Sequence, residues 1–218
     1  MKVVLLIPIK LNNQRLPGKN LKMLNGKPLC TYIFETVKDI EEIDEKYVYC
    51  SNEDIISYMP DGLTFKERDT NLDRNETKGL EIIESFVNSV DADIYVLAHA
   101  TQPFTKASSI VEGLNQIKSG EYDSAFSAIG MQDYCWYQGK PFNYDLSDIP
   151  RTQDLEPVYM ETSGFFIFTK EVFKNYHQRI GKKPYMCIVD AFEAIDIDTP
   201  IDFAFAEAAA EYLSKNPE

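Results

Sequence analysis

Two hydrophobic periods alternate along the chain, one typical of buried strands and the other of amphipathic helices. Short apolar runs predict strands at residues 3–7, 47–50, 63–65, 94–98, 124–128 and 164–168. Apolar residues at helical spacing predict helices at 28–39, 53–58, 76–90, 106–119, 169–179 and 200–214. Residues 194–200 are predicted to be a strand that leads into the last helix. This alternation predicts an α/β fold with a mostly parallel, doubly wound sheet.

Residues 131–157 interrupt the alternation. They are rich in Tyr, Trp, Pro and Asp, and Gly139-Lys140-Pro141 is a turn signal. We expect an insertion in the form of a hairpin that carries substrate or dimer contacts. Because 218 residues are typical of one domain, the sequence predicts a single domain over 1–218 with an insertion at about 131–157.

The loop after the first strand has the composition of an anion site. The strand Val3–Ile7 is expected to stop at Pro8, and three cations but no acid follow before residue 20, namely Lys10, Arg15 and Lys19. Open α/β sheets bind ligands at the carboxyl ends of their strands. The charges therefore indicate an anionic ligand, most simply a phosphate, although a solvated basic loop has the same composition.

The charge distribution supports a local anion site. The chain carries a net charge of −13, which argues against binding to nucleic acid or to anionic membranes. Residues 1–40 hold seven Lys or Arg against Glu35 and Asp39. This net charge of +5 within a total of −13 leaves −18 for the rest of the chain. A basic opening on an acidic protein indicates a specific site.

The cysteines and the apolar runs predict a cytoplasmic protein. The four cysteines show no paired spacing, which favours free thiols in a reducing compartment over disulfides or a zinc site. No apolar run approaches the roughly 20 residues of a membrane span. The start, Met1-Lys2-Val3, leads directly into a strand and lacks the features of a signal peptide.

Asp196 and Asp198 form a candidate metal site. They flank Ile197, and in a strand the residues i and i+2 point to the same side. Two neighbouring carboxylates repel each other unless a cation lies between them, and hard oxygen ligands suit Mg²⁺. The alternative is a pair of solvated acids at a strand end; the cationic loop elsewhere in the chain favours metal binding.

Two further side chains are candidates for substrate contact. Arg151 lies in the polar insertion, where a guanidinium could bind a carboxylate through two hydrogen bonds, or could be an ordinary surface arginine. His99 ends an apolar strand where the ligand crevice is expected. It is a candidate for substrate contact and for general-base catalysis, whereas His177, late in a helix, is expected to be solvated.

Four segments occur in an order that resembles a known family: Ile7-Pro8 with Leu16-Pro17-Gly18-Lys19-Asn20, Asn25-Gly26-Lys27-Pro28-Leu29, Pro150-Arg151 with Gln153-Asp154, and Asp196-Ile197-Asp198-Thr199. Together they resemble the CMP-sialic acid synthetase (acylneuraminate cytidylyltransferase) family over nearly the whole chain. The resemblance implies a Rossmann-like nucleotidyltransferase fold, with CTP as a substrate and Mg²⁺ as the cofactor. It also implies transfer of CMP to the anomeric hydroxyl of a 2-keto sugar acid with release of pyrophosphate, for polysaccharide or glycan synthesis.

The resemblance also implies roles for individual residues. Catalysis would involve Lys19, Arg15, Asp196 and Asp198, of which the two acids bind the metal. Nucleotide binding would involve Ile9, Lys10, Asn12, Arg15, Lys19, Asn20, Ser51 and Asn52. Binding of the acidic sugar would involve His99, Thr101, Gln102, Arg151 and Gln153. The insertion would mediate a homodimer and close the partner's site.

Several positions depart from the family pattern. Lys10 stands where the family usually has Arg, and it keeps the charge but loses the guanidinium fork. The block from His99 to Pro103 replaces a usual Gln-Pro-Thr-Ser-Pro, and Ser163-Gly164 replaces a usual Asn-Gly. The nucleotide and metal segments thus match better than the sugar segments. The alternatives are a nucleotidyltransferase with another acceptor and a non-catalytic CTP-binding homologue.

Overall fold

A seven-stranded sheet organises the protein, which is described over residues 1–216 from a computed structural model. The strands of this sheet and of two short two-stranded ribbons are, in chain order, β1 (Val3–Ile9), β2 (Met23–Leu24), β3 (Lys27–Pro28), β4 (Glu45–Cys50), β5 (Thr64–Glu67), β6 (Ile94–Ala98), β7 (Ser124–Met131), β8 (Trp136–Tyr137), β9 (Lys140–Pro141), β10 (Val158–Thr169) and β11 (Pro184–Ile188). The large sheet has the order β11-β7-β10-β6-β1-β4-β5.

Six strands of the large sheet run in one direction, and β10 runs against them. β1 pairs in parallel with β4 and β6, whereas β10 is antiparallel to both β6 and β7. The chain moves from β1 to β4 and β5 on one side and returns to β6 on the other side. The topological switch point therefore lies between the carboxyl ends of β1 and β6, where sheets of this kind bind ligands.

Residues 1–216 contain five α-helices, of which the first four cover the two faces of the sheet: α1 (Leu29–Lys38), α2 (Gly79–Val87), α3 (Ala107–Lys118), α4 (Lys170–Tyr176) and α5 (Pro200–Lys215). Apolar residues of α1 and α3 pack on one face with Leu5 and Ile7, and those of α2 and α4 pack on the other with Val4 and Leu6. Because both faces are covered, the interior of β1 is fully buried. Within residues 1–216, no helix has the length and apolarity needed to cross a bilayer.

Most predicted elements are present with small shifts of their ends. The α/β class and the mostly parallel sheet are confirmed. β1 continues through Pro8 to Ile9, because pairing with β6 ends at Leu6 and the missing N–H of Pro8 leaves the pairing with β4 intact. β10 is antiparallel because the insertion, and not a crossover helix, connects it to β7.

Two predictions about strands were wrong. β11 was missed, because this edge strand begins with Pro184 and only Cys187 is fully buried, so it has no continuous apolar run. Residues 194–199 form turns and irregular backbone, and no strand precedes α5. Ile197 is buried beneath α5 and not within the sheet.

A separate apolar cluster beneath α5 connects distant parts of the chain. Phe203 and Ala206 of α5 pack with Leu16 of the cationic loop and with Ile197. The helix begins after Thr199, whose hydroxyl accepts a hydrogen bond from the Asp202 N–H and thereby caps it. This cluster places the cationic loop beside the segment that carries Asp196 and Asp198.

Candidate functional site

Two adjoining cavities open at the carboxyl ends of β1 and β6. The first, which we call the loop cavity, has a volume of about 320 Å³ and is lined by residues 10, 12–16 and 19 of the cationic loop, by Asp198, and by Leu72, Arg74, Asn75, Thr77 and Ile82. The second, the sheet-end cavity, has a volume of about 400 Å³ and is lined by Pro8, Lys10, Asn13, Arg15, Arg68, Gly79, Ile82, Ile83, Leu97, His99 and Arg179. They share four lining residues and form one candidate site.

A left-handed turn fixes the end of the cationic loop. Gly18 has φ +65°, and the 3₁₀ turn Lys19–Leu21 follows it directly. The Asn20 side chain donates to the Lys10 carbonyl oxygen at 2.7 Å, which connects the two ends of the loop. Asn20 is buried and lines neither cavity, so its hydrogen bond to Lys10 has a structural role. Lys10 and Asn12 line the loop cavity.

Asp198 forms ion pairs with two of the three cations of the loop. Its Oδ1 lies 3.0 Å from the Lys19 Nζ, and its Oδ2 lies 2.9 Å from the Arg15 Nη1. Lys19 is buried and also donates to the Ile197 carbonyl oxygen at 2.5 Å. An ammonium has three N–H donors, so one donor of Lys19 remains for a ligand. The predicted proximity of the loop and the acidic segment is therefore present.

Asp196 is the less well compensated of the two acids. Burial raises the pKa of its carboxyl, and the charge of Asp198 raises this pKa further, whereas a hydrogen bond from Thr101 lowers it. Its Oδ1 is buried and has no hydrogen-bond partner within the described residues. The predicted strand geometry is absent here, because the Ile197 N–H donates to the Thr101 carbonyl oxygen at the sheet end, outside any strand.

The two acids fit the expected Mg²⁺. A buried carboxylate oxygen without a partner is the kind of atom that a cation satisfies. No cluster of three or more His, Cys, Asp or Glu occurs among residues 1–216 that could hold a metal alone. Mg²⁺ is commonly held by one or two carboxylates together with substrate phosphates, so a pair of acids beside a phosphate site is sufficient.

Arg68 is a buried cation that the sequence analysis missed. It follows β5 directly, and its side chain is 1% exposed. Its Nη2 lies 2.6 Å from the Asp73 Oδ1, and its Nη1 donates to the Tyr49 carbonyl oxygen at 3.3 Å. Ser51 donates to the other oxygen of Asp73, so Ser51 supports Arg68. Its place three residues after the strand predicted at 63–65 was the signal that could have identified Arg68.

His99 is neutral at the rim of the sheet-end cavity. Burial lowers the pKa of its imidazole to about 4. Its Nδ1 lies 2.6 Å from the Ser163 carbonyl oxygen. Because a carbonyl can only accept, Nδ1 carries the proton and Nε2 is left as an acceptor. The sequence prediction that His99 lies in the ligand crevice agrees with this position.

The sheet-end cavity is strongly cationic. Four of its lining residues carry a positive charge and none carries a negative charge, namely Lys10, Arg15, Arg68 and Arg179. Gly79 at the start of α2 also lines it, and helix N-termini favour anions. On a chain with a net charge of −13, this local concentration of positive charge makes the cavity a candidate anion site. No sequence pattern pointed to Arg179, which lies between α4 and the strand that was missed.

Several predicted residues lie elsewhere. Arg151 is 73% exposed and pairs with Asp154, and Gln153 is also exposed in the insertion. Gln102 is buried beside Gly164 and lines neither cavity.

Two residues predicted to bind the nucleotide also lie elsewhere. The side chain of Ile9 belongs to the core, and Asn52 caps the 3₁₀ helix Glu53–Tyr58 by accepting from the Asp54 N–H. Thr101 contacts Asp196 and not a cavity.

The fold is the Rossmann-like nucleotidyltransferase fold. The protein is similar in structure to a CMP:2-keto-3-deoxy-manno-octonic acid synthetase complexed with CTP, with a TM-score of 0.71, 17% identity and coverage of 97% of this chain and 99% of that one. It is also similar to a 4-diphosphocytidyl-2C-methyl-D-erythritol synthase from Anaerococcus prevotii, with a TM-score of 0.70, 13% identity and coverage of 96% and 98%. These likenesses confirm the predicted fold.

Sequence comparison identifies the family within this fold. Residues 4–213 match the model of the family described as cytidylyltransferase, and the chain belongs to this family. It is 26% identical to an N-acylneuraminate cytidylyltransferase of Oncorhynchus mykiss, over 94% of this chain and 49% of that protein. It is 25% identical to a CMP-N,N'-diacetyllegionaminic acid synthase of Legionella pneumophila, over 97% of each. The chain thus spans about half the length of several relatives and nearly all of another.

Proposed function

We propose that the protein transfers CMP from CTP to the anomeric hydroxyl of a 2-keto sugar acid and releases pyrophosphate. The observation that carries this proposal is the pair of cationic cavities at the switch point, one of which is lined by Asp198, two residues from the buried carboxyl of Asp196. Both substrates are anions, and four cations with no acid line the sheet-end cavity. The names of the relatives, which include N-acylneuraminate and legionaminic acid enzymes, support this choice of acceptor.

CTP would occupy the loop cavity and extend toward the shared cations. Asn13 and Thr77 line this cavity together with the cationic loop. Lys19 would donate to the phosphates from a fixed position, and Arg15 would leave or share Asp198 to do the same. These charges offset the negative charge that develops on the leaving pyrophosphate.

The reaction is an in-line displacement at the α-phosphorus. The acceptor oxygen forms a bond to this phosphorus, the bond to the bridging oxygen of the β-phosphate breaks, and pyrophosphate leaves with the electron pair. His99 Nε2, the free acceptor of this imidazole, would take the proton of the attacking hydroxyl as the new bond forms and pass it to solvent. Since the site needs no covalent intermediate, its main contributions are the positioning and charge compensation of the two substrates.

Asp196 and Asp198 would hold Mg²⁺ against the triphosphate. When bound, the ion supplies charge neutralisation and polarises the phosphate oxygens. Without a cation, the two carboxylates would repel the triphosphate that approaches the loop. A carboxylate that lacks a compensating partner, as Asp196 does, is therefore expected in a site that a cation and its substrate complete.

The proposal is tested by pyrophosphate release with CTP and Mg²⁺ across a panel of 2-keto sugar acids. We expect release with at least one acid and a loss of about 10²- to 10³-fold in kcat for Asp196→Asn. Asp61→Asn, at an exposed turn, is the matched control and should be unaffected. Release with non-sugar acceptors alone would indicate another nucleotidyltransferase. CTP binding without release from any acceptor would indicate a non-catalytic homologue.

We further propose a homodimer formed through the insertion, in a cytoplasmic protein. The support for the dimer is a group of exposed apolar side chains on the insertion, Trp136, Tyr137, Phe142, Leu146 and Ile149. Large exposed apolar groups in one segment are typical of an interface. The support for the compartment is that all four cysteines are unpaired.

A further inference from the structure

A β-bulge next to the sheet-end cavity orients two residues that face the expected acceptor. The pairing of β10 with β7 changes register between Glu161 and Phe166. Within this irregular stretch the Ser163 carbonyl oxygen fixes His99, and the Gly164 carbonyl oxygen accepts from the His99 N–H at 3.1 Å. Bulges are frequent beside functional sites, where they redirect side chains.

The two ends of the same bulge hold Arg179. Its guanidinium carbon lies 3.6 Å from the centre of the Phe166 ring, and its Nη2 lies 3.1 Å from the Glu161 Oε1. The His99 ring contacts the same phenyl ring edge-on, with centroids 6.1 Å apart. Phe166 is thus a shared platform for a guanidinium and a neutral imidazole. The charge of Arg179 also contributes to the low pKa of His99, which agrees with this proximity.

Arg179 keeps donors available for a ligand. A guanidinium has five N–H donors in one plane, and Glu161 accepts from Nη2. The side chain is 33% exposed and lines the sheet-end cavity. Arg151, in contrast, directs both Nε and Nη2 to Asp154 and lines neither cavity. Within one chain, Arg179 is therefore better placed for a carboxylate than the arginine predicted from sequence.

The chemistry of a 2-keto sugar acid requires such a neighbouring pair. In its ring form, the anomeric carbon carries both the carboxylate and the hydroxyl that attacks. The groups that bind these two substituents must therefore be close together. We propose that Arg179 binds the acceptor carboxylate and that His99 Nε2 accepts from the anomeric hydroxyl, so that Arg179 determines specificity for an acidic acceptor. This inference rests on the proposed function.

The test compares an acidic acceptor with its neutral ester. Wild type, Arg179→Ala and Arg179→Lys are assayed with N-acetylneuraminic acid and its methyl ester, or with whichever panel acid is used and its ester. For Arg179→Ala we expect kcat/KM for the acid to fall roughly 10- to 100-fold, mainly through KM, while KM for CTP stays unchanged. The preference for acid over ester should largely disappear. Arg179→Lys keeps the charge but loses the planar guanidinium, so its preference for acid over ester should lie between those of wild type and Arg179→Ala.

Matched variants separate this role from a structural one. Lys182→Ala removes another cation of the same loop, which lies over the Tyr176 ring, and should leave the acid preference intact. Arg151→Ala tests the rival arginine. If Arg179→Ala keeps the preference for acid, or raises KM for CTP instead, the proposal is overturned. Arg179→Lys provides the same decision if Arg179→Ala does not fold.

A binding measurement distinguishes this inference from the proposed function. Calorimetry with Mg²⁺ and a CTP analogue that carries a methylene bridge between its α- and β-phosphates measures binding of the acid without turnover. If wild type releases no pyrophosphate but binds the acid, and Arg179→Ala does not, the inference holds and the proposed reaction fails. If pyrophosphate is released and Arg179 proves irrelevant, the reaction holds and the inference fails. If wild type neither binds the acid nor reacts with it, both are overturned.

Discussion

Asp196 and Asp198 are two residues apart but lie in opposite electrostatic surroundings. Asp198 contacts two cations, Arg15 and Lys19, whereas Asp196 is largely buried and its pKa is raised. The chain therefore maintains one carboxylate whose charge opposes folding. Such a cost is typical of residues kept for function and not for stability.

Asp196→Asn is expected to stabilise the fold while it removes activity. Because the pKa is raised in the folded state, the carboxylate charge costs stability above the folded pKa, and this cost disappears as the pH falls below the unfolded value of 3.8. The gain in the free energy of unfolding should be about 0.5–2 kcal/mol at pH 7 and should shrink toward pH 4. Urea denaturation at both pH values measures it.

Asp198→Asn provides the contrast, with the same change of atoms. It should lower the free energy of unfolding by about 1–3 kcal/mol, because the buried ammonium of Lys19 would lose its charged partner. If both variants changed stability in the same direction, the assignment of the two environments would be incorrect.

At the scale of elements, the turn at Gly18 determines where Lys19 lies. Gly18→Ala is expected to lower the free energy of unfolding by about 1 kcal/mol, because φ +65° is unfavourable for a residue with a Cβ. An added Cβ would meet no atom within 4 Å, so the effect is backbone strain. We also expect a several-fold rise in KM for CTP, measured by initial rates, because relief of the strain would displace Lys19.

Gly120→Ala is the matched control for this turn. Gly120 has φ +78° and equally open space, but it ends α3 far along the chain from the loop. It should lose a similar amount of stability and leave KM for CTP unchanged. A parallel rise in KM in both variants would show that the effect of Gly18 is not local.

The sequence predicted elements best where burial alone determines them. β1 and β6 are buried on both faces, so their apolar runs identified them. β11 and the direction of β10 depend on contacts between distant segments, which no local pattern records. The same holds for the site: the cationic loop is contiguous and was identified, whereas Arg179 becomes significant only through Phe166, Glu161 and His99.

At the scale of the whole molecule, the charge distribution directs anions to one place. The chain carries −13 overall, yet the two cavities concentrate its cations at the switch point. The net negative charge of the molecule repels large anions such as nucleic acid. The cationic cleft attracts small anionic ligands that can enter it. The interaction should weaken with ionic strength.

The insertion carries the surface of the proposed dimer. Its apolar side chains border an open cavity of about 340 Å³. This cavity is lined by Met131, Cys135, Trp136, Tyr137, Phe142 and Val158. The double variant Tyr137→Glu with Phe142→Glu should convert a dimer to a monomer, because four buried charges would be left unpaired across a two-fold interface. Sedimentation velocity measures the change.

An equally exposed apolar pair on α5 controls for this surface. Ile201 and Phe205 are 68% and 67% exposed, and their replacement by Glu should leave the dimer intact. Dissociation by the α5 variant alone would place the dimer interface on α5 and not on the insertion.

If Arg151 completes the partner's site, as the family resemblance implies, the monomeric variant should lose kcat/KM for the acceptor and keep its affinity for CTP. If Arg179 within each chain binds the acceptor carboxylate, the monomer should keep its preference for the acid over the ester, so the same variant distinguishes the roles of the two arginines.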